Sequence, residues 1–183
     1  MSDRPRRRRG RTALYSAVAI GVVMVVFVAV LATRKSALDQ QARSPLLGKI
    51  APPLQGSDLN GHPFDLTSLR GKYVLVNFFA SWCVPCQQEQ SQLVRFDHTP
   101  SNDRTVVGVL YQDTAGAARA YMAGNGGDWP SVPDDGYQHA YDWGVRGPPE
   151  SYLIAPNGLV LAKFIGGITA DRLDQLVDQA NRA

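Results

Sequence analysis

Tyr73-Val74-Leu75-Val76-Asn77-Phe78-Phe79-Ala80-Ser81-Trp82-Cys83-Val84-Pro85-Cys86 is the stretch that decides the fold. The apolar run from Tyr73 to Ala80 has the length of a buried strand. The segment after it, Gln87 to Phe96, is polar and suited to a helix. Cys83 and Cys86 are the only cysteines in 183 residues. A cysteine pair in the first turn of a helix that follows a core strand points to a dithiol/disulfide switch. Residues three apart on a helix have Cβ atoms roughly 5–6 Å apart. The irregular first turn supplies the slightly closer approach that a disulfide needs. Pro85 suits a helix start, where its missing N–H would be unpaired anyway. The partial positive charge of the helix N-terminus stabilises a thiolate on Cys83. Cys86, one turn deeper, is expected to be less exposed, so Cys83 attacks and Cys86 resolves.

Working outward, Asp58-Leu59-Asn60-Gly61 is a turn, because Asn-Gly tolerates positive φ. Leu54 and Phe64-Asp65-Leu66 flank it as a short hairpin. Arg104 to Tyr111 reads as a second buried strand. Thr114 to Met122 reads as a helix capped by Thr114 and ended by Gly124-Asn125-Gly126-Gly127. A short helix is expected over 135–143. Ser151 to Ile154 and Leu159 to Ile165 form a hairpin about Pro156-Asn157-Gly158. Thr169 caps a last helix with Leu173, Leu176, Val177 and Ala180 on one face. The order is β-hairpin, β-α-β-α, short helix, β-β-α. That order predicts an α/β domain with a mixed central sheet and helices on both faces.

The net charge of +3 is unevenly placed. Six of the 19 basic residues, Arg4, Arg6, Arg7, Arg8, Arg9 and Arg11, lie in residues 1–12. Beyond them 13 basic face 15 acidic residues, so the body is no polycation and nucleic-acid binding finds no support. Ala13 to Ala32 carries no charge. Twenty helical residues rise about 30 Å, the thickness of the hydrocarbon layer. The stronger positive flank precedes the run, which places residues 1–12 in the cytoplasm and the rest outside. The expected organisation is a basic tail (1–12), a transmembrane anchor (13–32), a linker (33–44) and one domain (45–183). A cleaved signal peptide is the alternative, although Thr33-Arg34-Lys35 is a poor cleavage context. Either way the dithiol works outside the cytoplasm. The three histidines, His62, His98 and His139, are scattered without metal-type spacing.

With these elements in place, residues 45–181 resemble the thioredoxin superfamily. More closely, they resemble the membrane-anchored thiol-disulfide proteins of cytochrome c maturation (the CcmG/DsbE, ResA and TlpA group). Val74 to Cys86 matches that group's strand-plus-CxxC signature, with Trp82 as the aromatic beside the reactive cysteine. The resemblance implies a thioredoxin-like fold. It gives Glu89, one turn after Cys86, the task of tuning or accepting the buried thiol's proton; the residue alone would read as a solvated helix carboxylate. Gly144 to Ile154 matches the segment in which the family carries a cis-proline facing the CxxC, here Pro149. The backbone before it pairs with an incoming peptide. Pro148 departs from the pattern, since it lacks an N–H just where a donor would serve. Glu150 would add negative charge beside the dithiol. Asn77 stands where thioredoxins have a buried acid, and Ala155 replaces an Asp common after that strand.

The function so implied is thiol:disulfide oxidoreduction outside the cytoplasm. The expected target is the CxxCH disulfide of apocytochrome c, reached directly or through a haem-ligation helper. A transmembrane thiol reductase is the expected electron donor. No metal or organic cofactor is expected, and the protein is expected to be a monomer. Two alternatives stay open. One is a general oxidant or isomerase of exported proteins, because CxxC proteins span roughly −270 to −120 mV on one fold. The other is a non-catalytic adaptor that holds apocytochrome at the Pro149 groove.

Overall fold

The computed structural model describes residues 9–33, 41–101 and 103–182. The chain forms two compact units, residues 1–36 and residues 37–183. In the first, helix α1 spans Arg9–Thr33 and exposes apolar side chains from Tyr15 to Val28. Among the described residues no helix is long and apolar enough to cross a membrane. The continuous run of described side chains on α1 covers residues 17–29, which rise about 20 Å. The anchor expected over 13–32 therefore lies within α1, with the side chains at its two ends outside those described.

The second unit is built on a six-stranded sheet of order β1-β8-β7-β4-β5-β6. Its strands are β1 (Gln41–Ala42), β4 (Tyr73–Phe79), β5 (Arg104–Leu110), β6 (Ser131–Pro133), β7 (Glu150–Ile154) and β8 (Val160–Ile165). A separate hairpin pairs β2 (Gln55–Ser57) with β3 (Pro63–Asp65). The central strand β4 runs parallel to β5 and antiparallel to β7. All seven of its residues are buried, as befits a strand covered on both faces. Tyr73, Leu75 and Phe79 pack on one face with residues of α2 (Val84–Asp97), α3 (Ala115–Asn125) and α5 (Ala170–Ala180). Val74, Val76 and Phe78 pack on the other with α4 (Gln138–Trp143) and with Leu54 beside the hairpin. Each fully buried Leu or Phe in these layers contributes about 1.5–3 kcal/mol of burial.

The expected elements are present with small shifts of boundary. Thr114 caps α3 by accepting from Ala117 N–H, and Thr169 caps α5 by accepting from Arg172 N–H. Helix α3 continues past Met122 to Asn125, and Gly126 ends it with φ of 73°. Two edge strands lie where the sequence suggested only connecting chain. β1 sits inside the segment read as linker and pairs Gln41 with Phe164 and Ala42 with Lys163. β6 runs parallel to β5. Gly108 in β5 allows this close approach: a Cβ there would collide with Ser131 and stand 2.8 Å from the Phe79 ring.

Candidate active site

The disulfide is placed by the turn that joins β4 to α2. Cys83 is the N-cap of α2 (φ −81°, ψ 104°), and Pro85 lies in the first turn. The turn is fastened by side chains from elsewhere. Ser81 N–H donates to Asp113 Oδ2 at 2.7 Å, Gln87 Nε2 donates to the Ser81 carbonyl at 2.8 Å, and Trp82 Nε1 donates to the Gln112 carbonyl at 3.1 Å. Cys83 and Cys86 are joined, with S–S of 2.03 Å and Cα–Cα of 5.2 Å. The expected difference in exposure is not present in this oxidised state, where the two residues are 3% and 2% exposed. What separates them is position. Cys83 Sγ accepts from Cys86 N–H at 3.2 Å, so the amide dipoles of the helix start converge on Cys83.

Glu89 follows Cys86 by three residues on the same helix and is itself buried, at 3% exposure. It is not the solvated carboxylate that its sequence surroundings allow. Its Oε1 accepts from Asn77 Nδ2 at 2.9 Å, and its Oε2 accepts from Ile168 N–H at 2.9 Å. The other Asn77 amide hydrogen goes to Ser151 Oγ at 2.9 Å. Burial pushes the Glu89 carboxyl up to about 7, against the hydrogen bonds from Asn77 and Ile168, which favour the charged form. Tyr121 on α3 completes the surroundings. Its hydroxyl lies 3.2 Å from both the Cys86 carbonyl and Gln90 Oε1. Burial first, then the charge of Glu89, pushes that hydroxyl up to about 12. Together these groups enclose one buried carboxyl, three residues after Cys86, able to gain or lose a proton near neutral pH.

The second segment enters at the N-terminal end of β7. The Pro148–Pro149 peptide is cis, and Pro149 is buried. The register sets Glu150 opposite Phe78 of β4, near the end from which the cysteine turn departs. Glu150 itself is turned away. Ser151 faces Asn77, so strand alternation sends Glu150 to the opposite side of the sheet. There its Oε2 pairs with Lys163 Nζ at 2.7 Å and its Oε1 accepts from Arg146 N–H at 2.9 Å. Lys163 also donates to the Gly144 carbonyl at 2.9 Å and lies over the Tyr152 ring. Burial works against the Lys163 charge, but Glu150 and Tyr152 outweigh it and raise its pKa. The negative charge expected from Glu150 is thus compensated by a buried cation. Trp82 is 55% exposed and its neighbour Val84 is exposed too; Tyr137, also exposed, packs against Tyr111.

A match to the family model described as Redoxin covers residues 46–177. The chain belongs to the Redoxin family. Among curated relatives it is 34% identical to the thiol:disulfide interchange protein HelX of Rhodobacter capsulatus over 136 residues, which cover 73% of this chain and 76% of that protein. It is 35% identical over 130 residues to the thiol:disulfide interchange protein DsbE of Allochromatium vinosum, covering 69% and 71%. Among solved structures, a putative DsbE from Chlorobium tepidum superposes with a TM-score of 0.66 at 29% identity, over 73% of this chain and 96% of that one. With a joined cysteine pair on this fold, this Redoxin protein is a thiol:disulfide oxidoreductase.

Of the residues singled out from sequence, Cys83, Cys86 and Glu89 line up along the first two turns of α2, Trp82 immediately precedes them, and Pro148 and Pro149 form the cis peptide that leads into β7. Glu150 does not join them. Sequence reasoning missed Ser151, Ile168, Tyr121, Asp113 and Lys163. Asp113 and Ser151 each stand beside an element that was recognised, but nothing local marks their partners. Ile168 acts through its backbone N–H, which has no sequence signature at all. Among the described residues, Asp97, His98 and Asp128 could approach a common cation; they lie at the far end of α2 from the cysteines.

Proposed function

We propose that this domain is a reductant of exported polypeptides, held outside the cytoplasm by the span at 13–32. Its substrate is the CxxCH disulfide of apocytochrome c, or a helper that carries it. The observation that supports this best is Glu89: a buried carboxyl, raised to about 7, on the same helix face as Cys86. A thiol shielded from solvent needs such a group to take its proton.

The exchange then runs in balanced steps. The Cys83 thiolate attacks one sulfur of the target disulfide. The target S–S bond breaks, and the other target sulfur leaves as a thiolate that takes up a proton. Cys86 passes its proton to Glu89 and attacks Cys83 Sγ. The mixed disulfide breaks, the second target thiol is released, and the Cys83–Cys86 bond forms. Two electrons pass from the dithiol to the target, and a transmembrane thiol reductase restores them.

Docking is consistent with an extended chain laid before Pro149. Tyr111 Oη donates to the Arg146 carbonyl at 3.2 Å and Gly166 N–H donates to the Pro149 carbonyl at 2.8 Å, so those acceptors are taken. Pro148 offers no N–H. Among the described residues the Gly147 amide and the Gly147 and Pro148 carbonyls remain for a substrate backbone. The exposed Trp82 and Tyr137 rings suit an unfolded, partly apolar chain.

The deciding measurement is the reduction potential of the Cys83–Cys86 pair in glutathione or dithiothreitol buffers, together with reduction of an oxidised CxxCH peptide. A potential near or below roughly −200 mV supports a reductant. A potential near about −120 mV replaces it with an oxidant of exported proteins. Cys83→Ser separates the enzyme from a binding adaptor, because only an adaptor would survive it. In the reduced protein iodoacetamide should alkylate Cys83 faster than Cys86, and Glu89→Gln should move the thiol pH profile.

A further inference from the structure

A depression lies at the disulfide's end of the sheet, on the face opposite α2. Its volume is about 290 Å³, and its lining includes Arg43, Ser44, Gly144, Arg146, Lys163 and Ile165. The register places it. Phe78 of β4 pairs with Glu150 of β7, and Glu150 pairs with Ile165 of β8. Two strand spacings of about 4.8 Å put Ile165 roughly 10 Å from the end of β4 that leads to Cys83. The loop between Gly144 and Pro149 forms both the wall of this depression and the segment on which a substrate backbone would lie.

Three cations line the depression, and one carboxylate, that of Glu150, is engaged there. Glu150 is taken by Lys163 at 2.7 Å. Among the described residues neither Arg43 nor Arg146 has a carboxylate partner, and both are exposed. The backbone of Arg146 is held at both ends: its N–H donates to Glu150 and its carbonyl accepts from Tyr111. Its guanidinium thus projects from a fixed root. Arg43 follows directly on β1, whose pairing with Lys163 and Phe164 holds it at the same sheet edge. Two uncompensated guanidinium groups at the wall of a peptide-binding loop are matched by a carboxylate, which they can bind through paired N–H donors.

We propose that Arg43 and Arg146 form a specificity subsite for an acidic side chain of the disulfide-bearing polypeptide, an Asp or Glu flanking its cysteine pair. This rests on the reading of the domain as a reductant of polypeptide disulfides. Both cations are open to solvent, so the attraction is modest and falls with salt. It acts on capture of the substrate and leaves the sulfur chemistry to Cys83 and Cys86.

The test uses the reduced full-length protein and three oxidised Cys-x-x-Cys peptides that differ only in Glu, Gln or Lys at the flanking positions. At low ionic strength kcat/KM should fall in the order Glu, Gln, Lys by about tenfold from end to end. The change should appear mainly in KM, and 0.5 M sodium chloride should largely remove it. In Arg43→Gln/Arg146→Gln the three peptides should converge. Equal rates for the three peptides in wild type, or an order that persists in the double variant, would overturn the subsite. A redox-independent arm reads binding of the Glu peptide, with both cysteines replaced by Ser, to the oxidised protein. Shifts of the Gly144 amide and the arginine side chains should appear in wild type and vanish in the double variant; their absence from wild type overturns the subsite. Failure to reduce the neutral Gln peptide counts against the reductant reading alone.

Discussion

Glu89→Gln exchanges the buried carboxyl for a neutral amide of the same size, and its effect on stability should depend on pH with a defined sign. Burial pushes the folded-state carboxyl up to about 7 from an ordinary value of 4.5. Between those values the folded protein keeps a proton that the unfolded chain has released. Stability of the wild type therefore falls as pH rises through this window. A shift of this size corresponds to about 3 kcal/mol, fully expressed by about pH 8 and absent below about pH 4. The amide has no such slope. It carries its own pH-independent cost, because both Glu89 oxygens accept from N–H donors, Asn77 Nδ2 and Ile168 N. The Gln NH₂ must face one of those donors, at a cost of about 1–3 kcal/mol. The variant should thus be less stable than wild type at pH 4.5 and gain on it by about 3 kcal/mol at pH 8. Asp58, Asp65 and Asp103 are held below their ordinary value of 3.8 and change charge beneath this window. Urea unfolding of the oxidised domain, residues 37–183, at five pH values measures the difference directly. A difference that stays constant within about 1 kcal/mol from pH 4.5 to 8 would refute the argument that burial outweighs the two hydrogen bonds.

Asn77→Ala removes the side-chain donor that favours the Glu89 anion, so the Glu89 titration, followed by infrared spectroscopy of the carboxyl, should move above 7. An unchanged midpoint would show that the Asn77 hydrogen bond does not favour the Glu89 anion. Lys163→Met strands the Glu150 carboxylate in the sheet and should cost about 3–5 kcal/mol in denaturant unfolding. Adding Glu150→Gln should restore most of that loss, and a double variant as unstable as the single one would count against the pairing. Gly108→Ala should cost about 1–3 kcal/mol by overpacking against Ser131 and Phe79. Adding Ser131→Gly should relieve part of it, which differential scanning calorimetry would detect.

The sheet's centre was legible in the sequence and its margins were not. Strand β4 announces itself as an apolar run because both of its faces are covered. The caps at Thr114 and Thr169 are local hydrogen bonds and read directly from residue type. Strand β1 has two residues and β6 three, with Pro133 ending the latter. No periodicity is visible over so few positions, and edge strands tolerate proline.

The same division holds at the site. The sequence by itself determined the Cys83–Cys86 pair and the helix that begins on it, because both are set by residues within a few positions of one another; the Pro149 segment was marked by its resemblance to a known family. Only the tertiary structure decided what the carboxylates do. Glu89 meets Ile168 across 79 residues, and Asn77 meets Ser151 across 74. Glu150 is sent by strand alternation to Lys163 on the far face of the sheet. Charge and pKa depend on burial and on partners brought in by the sheet, so two glutamates that looked alike in the chain become a buried carboxyl raised to about 7 and one half of a buried ion pair.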